Sequence, residues 1–366
     1  MSQTPRVAVA VIGWNHAKFL RQTVAALRTV QYPAARWHFF LIDNASSDDT
    51  VYLATHELLD LEVGTIRHSP LSASLHALQE NIGFAGGANY AIAAARAAHC
   101  DYLYLLNPDT EVTPAFLHEI VAVMEADATI GVAQSLLVLA DEPAVMNSWG
   151  NEVHYLGFSF CGGHRVPLAR ARKRLTVHDI PSASGAGMML RLSALDAVGT
   201  FHEQLFAYHE DVDISWRLRL GGYRVVLAPR SVVRHRYEFS RSIKKYYFME
   251  RNRMLVHLKN LKIKTLVLLA PAAIAMELGL WLFSFRGGWW REKARAYSYL
   301  LNSKHLAGFL SARRAVQNIR TVNDRSIVEF FSATLRYQDM RNVVWDYVAN
   351  PLFALYWYLV RWIIRW

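Results

Sequence analysis

Five short stretches of this sequence bring together residue types that can do chemistry. Glu210-Asp211-Val212-Asp213 packs three carboxylates into four residues. Neighbouring carboxylates raise one another's proton affinity, which suits a general base; acidic residues in a first helical turn also complement the helix dipole. Phe206-Ala207-Tyr208-His209 comes just before, too apolar for an ordinary solvated face, and Arg217 and Arg219 follow, able to balance the charge or to meet phosphate. Asn107-Pro108-Asp109 offers one carboxylate at a strand end. A hard divalent cation holding a diphosphate needs only one or two protein carboxylates, because phosphate oxygens and water fill the other positions. Asp109 is the candidate ligand; a plain turn aspartate is the other reading. Asp43-Asn44-Ala45-Ser46 can hold a nucleotide base and ribose, or Asn44 or Ser46 can cap the next helix. Gly83, Gly86 and Gly87, within Asn81–Asn89, lie before a helix whose N–H groups suit a phosphate or sugar oxygen. Their spacing is not the dinucleotide fingerprint, and glycine-rich segments are often only turns. His235 is a candidate metal ligand or diphosphate contact, or a structural histidine.

These residues need a scaffold, and the chain alternates. Val7–Trp14 reads as a strand, after which Asn15 can cap a helix with Phe19, Val24 and Leu27 on its apolar face. Phe39–Ile42, Tyr102–Leu106 and Gly131–Leu139 read as strands, with an alanine-rich helix at Ala88–Ala98 and another opened by Thr113-Pro114. Strand–helix alternation with short joints predicts an α/β fold, a mostly parallel sheet with helices on both faces. In such sheets ligands bind beyond the carboxyl ends of the strands, where the clusters at 43–50 and 107–111 both fall. Later come a small-residue strand over Ser182–Arg191, which allows close backbone approach, a helix from the carboxylate cluster to Leu220, and a strand at Val225–Ala228. Beyond Lys244 the pattern is helical.

Composition narrows the class. The 366 residues are 53% apolar and 19% charged, which excludes disorder, and the two cysteines, Cys100 and Cys161, exclude a disulfide scaffold or a cysteine-built metal site. The net charge of +10 hides an asymmetry. Residues 1–216 hold 13 Lys/Arg against 22 Asp/Glu, whereas 217–366 hold 27 against 8 and most of the tryptophans. Met1–Arg6 is polar and Val7–Ile12 too short for a signal sequence, so a cytosolic start is expected.

In order and spacing, these clusters resemble the inverting glycosyltransferases of family 2, which have the GT-A fold. The matching segments are Val9–Ile12, Leu41–Asp48, Asn81–Asn89, Leu105–Asp109, Gly185–Arg191, Phe206–Arg217 and His235, and the resemblance covers about residues 5–260. It is nearest to the rhamnosyltransferase-like branch acting on bacterial cell-surface polysaccharide. The resemblance implies a catalytic domain over 1–260; beyond it, charge and pattern predict a helical, basic, Trp-rich membrane-associating extension over 261–366. The resemblance also implies Asp211 as catalytic base with Glu210 as its partner, and Asp43, Asn44, Ser46, Gly83, Gly86, Asn89, Asn107 and Arg217 at the donor. Asn107 and Asp109 stand in the place of an Asp-x-Asp motif, with Asp109 and His235 on Mg2+ or Mn2+. The donor is expected to be dTDP-linked L-rhamnose first, with UDP- or GDP-linked sugars next, and the acceptor a polysaccharide or polyprenyl-diphosphate-linked glycan. The Gln-x-x-Arg-Trp motif of the polymerising members is missing; only Trp216-Arg217 and Arg251-Asn252-Arg253 come near it.

Thr265–Phe285 is apolar and long enough to span a bilayer. If it paired across the membrane with Val344–Trp366, the 286–343 loop with its 11 Lys/Arg would face outward, against the positive-inside tendency. An in-plane or shallow helix pair at an anionic inner leaflet satisfies these charges, so a peripheral or monotopic cytoplasmic protein is expected. Packing on protein, including a homo-oligomer, is the other reading. A sugar-1-phosphate nucleotidyltransferase would carry a Gly- and Arg-rich loop after its first strand, where Gly13-Trp14-Asn15-His16 stands. A basic nucleic-acid-binding protein would not cluster carboxylates at strand ends, so no nucleic-acid partner is expected.

Overall fold

Val7–Gly13 (β1), Trp37–Asp43 (β2), Ala73–Ala77 (β3) and Tyr102–Leu106 (β4) form the parallel half of the main sheet. The computed structural model describes residues 4–58, 61–62, 65–66, 72–237, 246–335 and 345–366. The helical reading from Lys244 and the terminal segment from Val344 therefore begin outside the described residues. Thr110–Val112 (β5), Ile130–Leu139 (β6) and Met146–Ser148 (β7) follow, then a small hairpin of Asn151–His154 (β8) and Ser159–Cys161 (β9). Gly187–Arg191 (β10) and Arg224–His235 (β11) complete the main sheet, whose order is β3-β2-β1-β4-β10-β6-β11-β5 with β7 paired to β6.

Every residue of β1 is buried, as expected of a strand covered on both faces. Val7, Val9 and Val11 pack with Leu20 and Val24 of helix Ala17–Leu27 (α1) and Phe116 and Ile120 of Phe116–Ala126. Ala8, Ala10 and Ile12 face the other way, towards Ala88 and Ile92 of Gly83–Ala97 (α2). The period of two along β1 thus assigns one helix layer to each face.

Three sequence expectations are corrected. Helix α2 begins at Gly83, ahead of Ala88, because its glycines let it approach β1: a Cβ on Gly87 would lie 2.6 Å from Cγ2 of Ile12. Asn15 does not cap α1; its Oδ1 accepts from Ser47 N at 2.8 Å, tying the loop after β1 to the loop after β2. Strand β11 runs on to His235 instead of ending at Ala228, with an irregular register between Ala228 and Val232 taking up Pro229.

The carboxylate cluster opens helix Glu210–Leu220 (α4, with Phe116–Ala126 as α3), which is buried almost all round. The long helices that follow it are Tyr246–Asn260 (α5), Ile263–Arg286 (α6), Trp290–Leu301 (α7), Ser303–Asn318 (α8) and Asn350–Val360 (α9). They close a further core in which Tyr155, Val212, Trp216, Leu255, Met276 and Trp357 pack together. Residues 261–366 have no core separate from this one among the described residues.

Helices α4 and α5 are joined by a buried carboxylate. Asp213, fully buried, accepts from Arg217 Nε at 3.0 Å, Lys259 Nζ at 2.8 Å and Asn260 Nδ2 at 2.9 Å. Burial alone would raise this carboxyl's pKa, but Lys259 and Arg217 hold it well below the usual carboxylate range. Replacing Asp213 with alanine leaves two buried cations unbalanced. Urea unfolding of Asp213→Ala should show a loss of about 3–5 kcal/mol; a loss within error of zero would contradict the role given to this cluster.

Candidate active site

Two residues along a helix turn a side chain by roughly 200°. With Asp213 in the core, Asp211 is aimed the opposite way, into a cavity of about 370 Å³ lined also by Asn107, Asn147, Asn151, Gly185 and His235. Asn151, on β8, donates Nδ2 to Asp211 Oδ2 at 3.0 Å, and Val212 N donates to Oδ1 at 2.7 Å. Burial lifts the Asp211 carboxyl to about 6, against the opposing hydrogen bonds from Val212, Gly185 and Asn151. Glu210 is raised well above the carboxylate range by burial and by the negative charge of Asp211. In the adjacent pair, burial and the charge of Asp211 both favour the neutral form of Glu210.

The turn into α4 is strained. Phe206, Tyr208 and His209 all have positive φ, at 63°, 69° and 65°, without being glycine. Helix α5 enforces this shape: Asn252 Nδ2 lies within 2.8 Å of the carbonyls of Leu205, Ala207 and Tyr208, and Arg251 donates to those of Gln204 and Leu205. His209 Nε2 stands 3.1 Å from the Gly157 carbonyl. Gly83 fits beneath, where a Cβ would meet the Phe206 carbonyl at 2.5 Å. Arg251 and Asn252 are therefore the clamp of this turn, while Arg253 binds Glu250, Glu277 and the Leu156 carbonyl and Trp216 is buried in the core.

Asp109 and His235 meet through the sheet. Strand β5 pairs with the end of β11, placing His235 beside Thr110, and His235 Nε2 comes 3.5 Å from Asp109 Oδ1. The other ring nitrogen, Nδ1, lies 2.9 Å from Asn147 Oδ1. An amide oxygen only accepts, so Nδ1 donates to it and Nε2 is left facing the carboxylate. An imidazole nitrogen and a carboxylate oxygen are both ligand types that a divalent cation takes. Among the described residues no three His, Cys, Asp or Glu groups stand where they could hold a metal ion. The pair thus fits a divalent cation shared with a ligand's phosphates, and not an all-protein cage.

Asp43 ends β2, with β1 between it and β4, so Asp43 and Asn107 close strands about 10 Å apart. Its Oδ2 accepts from Ser46 N at 3.0 Å, whereas its buried Oδ1 has no hydrogen-bond partner. A buried, unsatisfied carboxylate oxygen at a strand end calls for a donor from a ligand. Asn44 is occupied otherwise: it bridges the Gly83 carbonyl and Ile82 N, fastening the start of α2 to β2. Ser46 Oγ accepts from Asn15 N at 2.8 Å.

Two expected donor contacts lie elsewhere. Arg217 is buried with its guanidinium bound to Asp213 and to the carbonyls of Val198, Gly199 and Thr200, because balancing Asp213 in the core requires it. Asn89 binds the Phe201 backbone and Glu203, fixing α2 to the 199–203 segment. Neither they nor Gly83 and Gly86 line the cavity; Gly83 N donates to Asn81 Oδ1, and a Cβ on Gly86 would meet Ile82 at 2.9 Å. Asn147 and Asn151, absent from the sequence-based set, enter the site. Both lie in Asn147-Ser148-Trp149-Gly150-Asn151, whose only signal is that of a turn.

Comparisons with known proteins follow the same lines. The model of the family described as glycosyl transferase family group 2 matches residues 102–366. No curated protein matches the chain. Among solved structures it is similar to GalNAc-T7 with UDP, GalNAc and Mn2+, at TM-score 0.53 and 17% identity, covering 72% of this chain and 49% of that one. The chain thus spans about half the length of GalNAc-T7. It is also similar to the mannosyltransferase PcManGT of Pyrobaculum calidifontis in complex with GDP-Man and Mn2+, at TM-score 0.50 and 16% identity, covering 87% and 86%. These two likenesses show the GT-A fold.

Asn151 stabilises the ionised form of Asp211, so its loss should raise that carboxyl's pKa. Activity that requires ionised Asp211 falls as pH drops through about 6. In Asn151→Ala the acid limb of kcat/KM should move to higher pH; an unmoved limb would remove Asn151 from this role.

Proposed function

The chain belongs to glycosyl transferase family group 2, and on that premise we propose that it moves a sugar from a nucleoside-diphosphate donor to an acceptor hydroxyl with inversion. The observation that carries this reading is the half-buried Asp211, facing the cavity that Asn107 and His235 also line. Asp211 accepts the proton of the acceptor hydroxyl, and Asn151 and the Gly185 N–H hold its carboxylate for the task. Burial favours the neutral form of Glu210, which limits the negative charge beside Asp211. Attack from this side and departure of the diphosphate on the other give a single displacement.

Asp43 Oδ1 takes a base N–H of the donor, and Asn107 with Asp109 and His235 receives its diphosphate. Mg2+ or Mn2+ bound to Asp109 and His235 would supply Lewis-acid stabilisation of the leaving diphosphate. Support for a metal comes from the approach of His235 Nε2 and Asp109 Oδ1 to 3.5 Å. L-Rhamnose on dTDP is the donor we place first, on the order of the motifs, ahead of UDP-linked hexoses or galactofuranose and GDP-mannose. The acceptor we assign is a hydroxyl of a polysaccharide or lipid-linked glycan in cell-surface synthesis.

A panel of dTDP-, UDP- and GDP-sugars with Mn2+ or Mg2+ tests the reading. Asp211→Asn should lower transfer by roughly a thousandfold while nucleotide binding persists. It should not lower stability: a carboxyl whose folded pKa is raised destabilises the native state above that pKa, and the amide lacks this penalty. Turnover like that of the parent would sink the assignment.

Asp109→Asn and His235→Ala should each abolish the thermal shift that Mn2+ adds to nucleoside-diphosphate binding. A full metal-dependent shift in both variants would refute the site.

A further inference from the structure

Helix α6, of 24 residues, is the one helix among the described residues long and apolar enough to cross a bilayer. The structure holds it against the body of the protein at three levels. At its start, Lys262 N and Thr265 Oγ1 donate to the buried Asp324, at 2.9 and 2.5 Å. Near its middle, Glu277 pairs with Arg253 of α5 and, at 2.7 Å, with the fully buried Lys293 of α7, while Glu250 of α5 binds the same two cations. At its end, Phe283 meets Trp289 edge to face, and the Trp289 ring lies tilted against Tyr246 of α5. A helix of about 36 Å that is clamped along its whole length cannot run away from the body into a membrane. It lies along the surface.

One side of α6 has no partner. Ile263, Val267, Ile274, Leu278, Leu282 and Phe285 are 59–69% exposed and repeat at helical spacing. Helix α9 adjoins it, its Tyr356 hydroxyl donating to the Leu268 carbonyl at 2.6 Å. Leu352, Leu355 and Leu359, with Trp362 and Ile363 just beyond, form a second exposed stripe. The exposed charges at the ends of these helices are Lys264, Arg286, Arg291 and Arg365, with one exposed acid, Asp346, in the turn that leads into α9. The only acid of α6 is the clamped Glu277, and Asn350–Trp366 has none.

We propose that the α6–α9 face rests in the plane of an anionic bilayer, with its apolar stripes at the acyl boundary and its cations at the headgroups. Apolar area with a rim of four exposed cations against one exposed acid is the chemistry of an interfacial helix pair. A second copy of the chain fits less well, since pairing of the face with itself would set like charges against each other. Spanning would require the Glu277 ion pairs with Arg253 and Lys293 to enter the bilayer or to part, at a high cost in either case. The inference stands apart from sugar transfer and is tested without turnover.

The full chain is sedimented with vesicles of phosphatidylcholine alone and with vesicles containing roughly one third phosphatidylglycerol. It should bind the anionic vesicles, lose binding as salt rises, and be released by alkaline carbonate. The Leu278→Glu/Leu359→Glu variant, changed only at exposed positions, should bind roughly tenfold more weakly with an unchanged far-UV spectrum. A soluble protein indifferent to the anionic vesicles would overturn the proposal. So would resistance to carbonate, which indicates spanning, or a variant that only converts a dimer to a monomer. Should the variant fold poorly, the parent's lipid and salt dependence decides by itself.

Discussion

The arrangement of the site depends on a buried charge. Asp213 cannot be ionised in the core without compensation, and the compensation comes from Arg217 on its own helix and Lys259 on the next. That requirement fixes the rotation of α4 about its axis. Once Asp213 faces inward, helical geometry sends Asp211 outward, two residues away and nearly opposite. The carboxyls at 211 and 213 therefore have opposite environments: one rises to about 6 and the other is driven well below the ordinary range. Such a separation within one short segment is how a fold assigns a base and a structural anion from the same residue type.

The same dependence links the C-terminal helices to the chemistry. Helix α5 supplies Lys259 and Asn260 to Asp213, and Asn252 to the strained turn before α4. Strain of this kind persists only where surrounding contacts over-determine it. Helices α6 and α7 hold α5 through Glu277 and Lys293. The basic second half of the chain is thus part of the scaffold of the site, as well as its outer surface. The family model, running unbroken from 102 to 366, spans both roles.

Much of this was legible in the sequence, and the omissions share a cause. Strands such as β1 and β4 stand out because burial on both faces requires continuous apolar runs. Asp43, Asp109 and Asp211 stand out because each follows such a run or opens a helix. What a sequence does not show is the direction of a side chain within a buried helix. Arg217, one turn after a carboxylate cluster, reads equally well as a phosphate contact or a counter-ion, and only the packing of α4 decides. Asn147 and Asn151 act on His235 and Asp211 across 88 and 60 residues, through pairings that local spacing does not encode. The glycines of α2 were visible, but their reason, close approach to Ile12 and Phe206, is tertiary.

The central claim, that Asp211 is the poised carboxylate of the site, is tested most directly by difference infrared titration of the parent against Asp211→Asn. The account predicts a carboxyl band in the parent that converts to carboxylate near pH 6 and is missing from the variant. Identical titrations in the two proteins, or a parent with no carboxyl titrating above the ordinary carboxylate range, would contradict it.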